Sequence, residues 1–212
     1  MSWKCCYKPF IIYFLDPVRL NFREIILFHD LGCLLVVPIC VLVMGILYII
    51  IARSFRTSKL IHNETLEAIW TIRPSLVLIF LAVPSLKLLY DSATREFPEI
   101  TFNVVASQWY WSYDENSVGI KSSYLLRDTL PRNLGGDMAP GIVAMSEFGV
   151  ISSSSDVLHS YAIPSLGIKQ DCVPGRLNGG VYRSEVVGYN YGQCSELCGV
   201  NHSFMPCFLI SA

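Results

Sequence analysis

Between positions 194 and 205 the sequence gathers two thiols, a carboxylate, an imidazole and a thioether, as Cys194, Glu196, Cys198, His202 and Met205. Thiolate, imidazole and thioether form a soft donor set, which selects copper over magnesium or calcium. Three chemistries suit such a stretch. Cys194 and Cys198 could close a disulfide if the segment faces an oxidising compartment. Two cysteines and two histidines could hold structural zinc, although a C-x₃-C-x₃-H spacing matches no common finger. Both thiolates could instead bridge two copper ions, with neighbouring residues completing each coordination sphere. Met205 favours the third reading, because a thioether adds little to zinc and is a familiar weak ligand for copper.

Other residues that could do chemistry are more scattered. Cys33 and Cys40 lie in an apolar run, where they serve as small packers. Cys5, Cys6, Cys172 and Cys207 have no role assignable from their surroundings. Trp109, Trp111 and Tyr113 alternate, so on a strand they share one face, as core aromatics would. Glu67 reads as a solvated charge ahead of a helix, and an isolated Glu196 would read as an ordinary exposed acid.

These residues need elements to position them. The chain has 212 residues, of which 52% are hydrophobic, and its mean hydropathy is positive. The apolar excess is localised. Leu31–Ala52 is free of charge and long enough to cross a hydrocarbon core of about 30 Å as a helix. Pro38 and Gly45 inside it are tolerated in membrane helices. A second run, Pro74–Leu86, becomes long enough when extended to about 70–90, with Arg73 and Lys87 near its ends reaching toward headgroups. The alternative for this second run is a buried helix of a soluble domain. Two spans joined by a short polar stretch make a helical hairpin. They define an N-terminal arm and transmembrane unit over 1–92 and a soluble domain over 93–212.

Charge divides at the same place. Residues 1–90 carry nine Lys/Arg against five Asp/Glu, and the remainder carries seven against twelve. An acidic soluble half suits a basic protein partner and argues against nucleic acid. Arg53, Arg56 and Lys59 place the connecting loop on the matrix or cytoplasmic side, with both termini opposite. The first twenty residues lack a secretory-signal pattern. Beyond Tyr90, β-rich runs at Ile100–Ala106 and Gln108–Tyr113 are followed by turn signals. The turns include Ser152–Ser155, read as a loop, Pro174–Gly175 and Asn178–Gly180. Many short strands with frequent turns predict an all-β sandwich or barrel.

Several separated segments, in order, carry a resemblance. They are Glu67-Ala-Ile-Trp-Thr-Ile72, Gln108-Trp-Tyr-Trp-Ser-Tyr-Asp114, Asp156-Val-Leu-His-Ser160, Ile163-Pro-Ser-Leu-Gly167, Pro174-Gly-Arg-Leu-Asn178 and Tyr191–Pro206. Together they resemble the subunit II family of haem–copper cytochrome c oxidases. The resemblance implies a two-helix transmembrane hairpin followed by a cupredoxin-like Greek-key sandwich holding the binuclear Cu-A centre. It implies His159, His202, Cys194, Cys198, Met205 and the Glu196 carbonyl as copper ligands, with the Glu196 side chain also binding magnesium shared with the catalytic subunit. It implies that Trp109 is where electrons arrive, that Asp114 and Asp156 dock cytochrome c, and that Glu67 stands at the mouth of a proton pathway. The implied function is to accept electrons from cytochrome c and pass them to haem in the catalytic subunit. There oxygen is reduced and protons are pumped, with no haem bound by this chain. The implied partners are cytochrome c, the catalytic and other oxidase subunits, and membrane lipid. The implied location is the mitochondrial inner membrane, with the soluble domain and both termini in the intermembrane space; a bacterial plasma membrane is the less favoured setting. The rival outside the family is a membrane-tethered zinc or disulfide module without electron transfer.

The chain departs from the family pattern in places. Arg73 stands where an apolar residue is usual, Tyr161 replaces a common tryptophan, and Ser155 lacks an acid often found beside Asp156. Residues 115–151 match poorly.

Overall fold

The computed structural model describes residues 20–53, 62–93, 98–115, 119–123 and 140–212. The N-terminal arm, with Cys5 and Cys6, and the charged loop residues Arg56 and Lys59 lie outside them. Within these limits the chain forms two long helices and, separately, a β domain.

Helix α1 spans Leu20–Arg53 and α2 spans Glu64–Ala93. At about 1.5 Å per residue both exceed the roughly 30 Å of a hydrocarbon core. Helix α2 starts where its sequence dictates. The Asn63 side chain accepts a hydrogen bond from Leu66 N–H at 3.0 Å, and Glu64 and Glu67 place acids in the first turn. Pro74 and Pro84 lie inside α2 and Pro38 inside α1. Thr71 and Ser75 hydroxyls donate back to the carbonyls of Glu67 and Thr71, keeping their polarity within the helix. In the most apolar stretch of each span, Phe22–Ala52 and Glu64–Asp91, no residue is buried. A soluble core helix would have its apolar face buried, so the alternative reading of the second run does not hold.

Among the described residues the β domain has ten strands: β1 Ile100–Ser107, β2 Tyr110–Glu115, β3 Gly119–Ser123, β4 Gly141–Ile142, β5 Glu147–Ser154, β6 His159–Ile163, β7 Ile168–Cys172, β8 Asn178–Arg183, β9 Gly188–Gln193 and β10 Pro206–Ser211. They form a five-stranded sheet in the order β3-β2-β1-β5-β8, a three-stranded sheet β4-β10-β9, and the pair β6-β7. Strand β1 runs parallel to β5, and the other neighbours in the large sheet are antiparallel. The inward residues alternate as a half-buried strand requires: Phe102, Val104 and Ala106 on β1, Phe148 and Val150 on β5. They meet Trp111, Tyr161, Ile163, Leu166, Ile168 and Leu209 in a single core.

Two expectations from turn chemistry fail here. Ser152–Ser154 belongs to β5, and only Ser155 lies beyond it. Ser152 and Ser154 are buried, and their hydroxyls donate to the carbonyls of Asp171 and Val157, so tertiary partners replace the water that a serine-rich loop would use. Asn178–Gly180 opens β8 rather than a turn, pairing with Val150–Ser152. A Cβ on Gly180 would collide with the Tyr182 ring, so the missing side chain makes room for that aromatic.

At one end of the small sheet Asn190 donates to Ser211 Oγ at 3.0 Å and accepts from Ser165 Oγ at 3.0 Å. This buried polar knot is satisfied within itself. The other end of β9 and β10 opens onto the residues with chemistry.

Candidate metal centre

The last antiparallel pair of β9 and β10 is Gln193↔Pro206. Just outside it, Cys194 N–H donates to the Met205 carbonyl at 3.1 Å, so the hairpin closes on the first and last donor residues of the loop. Strand β6 reaches the same end because Ser195 N–H donates to the Ser160 carbonyl at 3.0 Å, which sets His159 beside Cys194. One donor atom each from His159, Cys194 and Cys198 lies within 4.8 Å of the others, and all three residues are buried. Cys194 Sγ is 3.8 Å from His159 Nδ1 and 4.0 Å from Cys198 Sγ, and Cys198 Sγ is 3.6 Å from His202 Nδ1. Met205 is 1% exposed at the base of the loop. Glu196 turns its carbonyl inward to within 3.3 Å of Cys194 Sγ, while its side chain belongs to an exposed residue.

The two thiols are not bonded to each other; a disulfide brings its sulfurs to about 2.05 Å. Burial, and then the neighbouring Cys194, push the Cys198 thiol above its ordinary range, which disfavours two bare thiolates side by side and favours a cation between them.

The imidazole orientations also suit a metal. His159 Nε2 lies 2.9 Å from Asp156 Oδ1. A carboxylate only accepts, so this bond fixes the proton on Nε2 and leaves the Nδ1 lone pair facing Cys194, the carboxylate–histidine arrangement common at metal ligands. Asp156 also accepts from Gln108 N–H at 2.7 Å and Val157 N–H at 2.6 Å. Partial burial works to raise its pKa, but these three hydrogen bonds and the His159 ring outweigh that and hold it below the ordinary value.

The family profile described as "Cytochrome C oxidase subunit II, periplasmic domain" matches residues 100–212, and that described as "Cytochrome C oxidase subunit II, transmembrane domain" matches residues 9–88. The chain belongs to the cytochrome c oxidase subunit II family. It is 38% identical over 195 residues to cytochrome c oxidase subunit 2 of Aedes aegypti, covering 89% of this chain and 83% of that one. It is also 38% identical over 199 residues to that of Albinaria turrita, covering 91% and 89%. The crystal structure of the periplasmic domain of subunit II of cytochrome oxidase from Bradyrhizobium japonicum superposes with a TM-score of 0.53 at 36% identity, over 55% of this chain and 86% of that chain. Two membrane-capable helices followed by a β-sandwich are thus the architecture of a subunit II. The site is of the Cu-A copper type, and other oxidase subunits are its partners.

Of the residues singled out in this subunit II sequence, the fold collects His159, Cys194, Cys198 and His202 by direct contact of donor atoms, with Met205 and the Glu196 carbonyl in the same loop. Asp156 joins them through His159. Asp114 does not: it lies four residues into β2 from Tyr110, about 13 Å along the strand, and lines a hollow of about 450 Å³ with Val105, Ile151 and Leu177. Glu67 is in the first turn of α2, 3.4 Å from His62 Nδ1.

Trp109 is not on the strand with Trp111 and Tyr113. It sits with Gln108 in the turn between β1 and β2 and is half-buried, whereas Trp111 and Tyr113 are core. A turn breaks the period of two, which is why alternation misplaced it.

Sequence reasoning gave no individual role to three residues of the site. Trp111 meets the His159 ring edge-on at a centroid distance of 6.2 Å and donates to the Met205 carbonyl at 3.5 Å. Gln108 donates from Nε2 to the Cys198 carbonyl at 2.8 Å. Gly199 has φ +122, a conformation that favours glycine, and so lets the chain turn away directly after Cys198. Their signal was membership of the Gln108–Asp114 and Tyr191–Pro206 segments, which did not say what each touched.

Cys172 and Cys207 prove to be core residues. Both are fully buried, and burial pushes the Cys172 thiol up to about 11 and raises that of Cys207 further. Such thiols are inert. Alkylation of the folded protein at pH 8, read by peptide mass, is expected to leave both unlabelled until denaturant is added; labelling without denaturant would contradict their placement.

Proposed function

We propose that this chain is the electron-accepting subunit of a mitochondrial cytochrome c oxidase, holding two copper ions as a Cu-A centre. The supporting observation is the buried thiol pair flanked by two imidazoles whose Nδ1 atoms face the sulfurs. The donor set fits copper: two thiols, two imidazoles, a thioether and one carbonyl. Cys194 and Cys198 would hold the metals through their thiolates, His159 and His202 would each supply an imidazole, and Met205 and the Glu196 carbonyl would complete the set. When bound, the copper pair supplies a one-electron couple.

The protein's own contribution is to hold the ligands still. Asp156 and Trp111 fix the His159 ring from two sides, and the Cys194–Met205 and Ser195–Ser160 hydrogen bonds pin the loop to the sheets. Ligands locked in this way rearrange little when charge arrives, which favours fast transfer. Trp109 receives electrons from cytochrome c, and the catalytic subunit takes them onward to haem, which this chain does not itself bind. The exposed Glu196 carboxylate, a hard ligand, holds magnesium at the boundary with that subunit. Glu67 marks the mouth of a proton pathway.

The two helices cross the inner mitochondrial membrane in contact with lipid, dividing the chain into a membrane unit, 1–92, and a soluble domain, 93–212. That domain and both termini face the intermembrane space. Asp114 and Asp156 form two ends of an acidic docking surface for cytochrome c. Asp114→Asn is expected to slow association at low ionic strength, with the difference fading as the Debye length falls from about 10 Å at 0.1 M salt to about 3 Å at 1 M. Stopped-flow association across a salt series checks this; parallel salt profiles for variant and parent would remove Asp114 from the interface.

The deciding experiment is electron paramagnetic resonance of the copper-loaded chain together with metal content. One unpaired electron shared equally by two coppers is the expected signal. A silent protein containing zinc would favour the structural module instead.

A further inference from the structure

Trp109 has no polar anchor of its own. Its Nε1 is buried without a hydrogen-bond acceptor, and its ring rests on Gly199, where a Cβ would stand 3.3 Å from Cζ2. The residue before it is anchored twice. Gln108 N–H donates to Asp156 Oδ2 at 2.7 Å, and the other oxygen of that carboxylate holds His159. The Gln108 side chain donates from Nε2 to the Cys198 carbonyl at 2.8 Å. One turn residue therefore reaches the supports of a histidine and a cysteine of the metal loop, and the next peptide carries the indole.

The small net contribution of a hydrogen bond to stability does not by itself make Gln108 important for folding. Its geometry has another consequence. Electronic coupling falls off more slowly through bonds and hydrogen bonds than across a gap. The path from Trp109 through the Gln108 backbone and side-chain amide to the Cys198 carbonyl contains a single hydrogen bond and no gap.

We propose that Gln108 is a positioning residue for electron uptake: its side-chain amide registers Trp109 against the Cys198 loop and connects the two. The proposal rests on the reading of Trp109 as the point of electron arrival.

The test uses the assembled oxidase with Gln108→Leu, which removes the donor at similar size, Gln108→Met as a second donor-less variant, and Trp109→Gln as comparator. Copper per haem, KM for cytochrome c and the first-order uptake rate within the preformed cytochrome c complex are measured. Turnover is also measured with hexaammineruthenium(II), a small reductant that does not need the docking turn. In the Gln108 variants the first-order rate is expected to fall on the order of ten- to a hundredfold, the scale of a misplaced reacting group. KM, copper content and turnover with the small reductant stay at parental values. A parental first-order rate in both Gln108 variants beside a slow Trp109→Gln would overturn the role of Gln108 alone. Loss of copper, or equal slowing with both reductants, in both variants would also overturn it, since Gln108 would then merely hold the metal loop. A parental rate in Trp109→Gln would remove the arrival point, and the proposal with it.

Discussion

Replacing Cys198 with serine is expected to leave a folded β domain that no longer holds two coppers. Cys198 is 3% exposed, 4.0 Å from Cys194 Sγ and 3.6 Å from His202 Nδ1, so its sulfur faces the other thiol and an imidazole. Serine nearly preserves its volume, and the cost to folding should stay near 1 kcal/mol, typical of a single substitution. What it cannot preserve is the soft thiolate, because a hydroxyl neither ionises here nor favours copper. Copper content should fall from two per chain to at most one, with loss of the shared-electron signal. Turnover with cytochrome c should drop by more than the roughly 10- to 100-fold loss seen when an outer-shell partner is removed. Metal analysis and resonance spectra on the same sample check both parts. Retention of two coppers with an unchanged spectrum would show that Cys198 is not a copper ligand.

Trp111→Ala should have the largest effect on stability. Its side chain is fully buried, meets Tyr161 edge-on at 5.2 Å and His159 at 6.2 Å, and reaches the Met205 carbonyl. Truncating a buried tryptophan costs about 3–5 kcal/mol, a large share of the roughly 5–15 kcal/mol available to a domain. At about 3–5 °C per kcal/mol, the midpoint for thermal loss of the copper chromophore should fall by roughly 10–20 °C. Because the same ring backs His159 and the end of the metal loop, copper should also bind more weakly in the surviving folded fraction. Trp111→Phe, which keeps a ring against Tyr161, should lose much less. A midpoint for Trp111→Ala close to the parent would mean that the ring does not carry the core as its contacts indicate.

The metal loop was legible in the sequence because most of its donors are local. Five of them fall between two strand ends that pair with each other, so spacing alone captured their proximity. The helices were legible from composition, since only lipid tolerates so long an apolar run without cover. The sandwich was legible as a class from its short, punctuated strands. Errors arose where a residue's surroundings decide its use. Ser152 and Ser154 are strand residues because carbonyls of Asp171 and Val157 await their hydroxyls. Gly180 is a strand residue because Tyr182 needs the space. For Asp156 the sequence carried a docking role only through resemblance, and it gave no sign of the hydrogen bonds its carboxylate makes with His159, Gln108 and Val157. No local pattern encodes a partner that lies 48 residues away, as Gln108 does from Asp156.

The convergence of Gln108, Asp156, His159 and the Cys194–Met205 loop also sets an order in time. The β1–β2 turn is synthesised about a hundred residues before β10, which at roughly 5–20 residues per second is a wait of some 5–20 s. Until β10 pairs with β9 the loop has no closed base, and until β6 docks His159 has no sulfur beside it. A nascent chain therefore presents thiols before it presents the site, and the full donor set comes together only when β6, β9 and β10 are assembled.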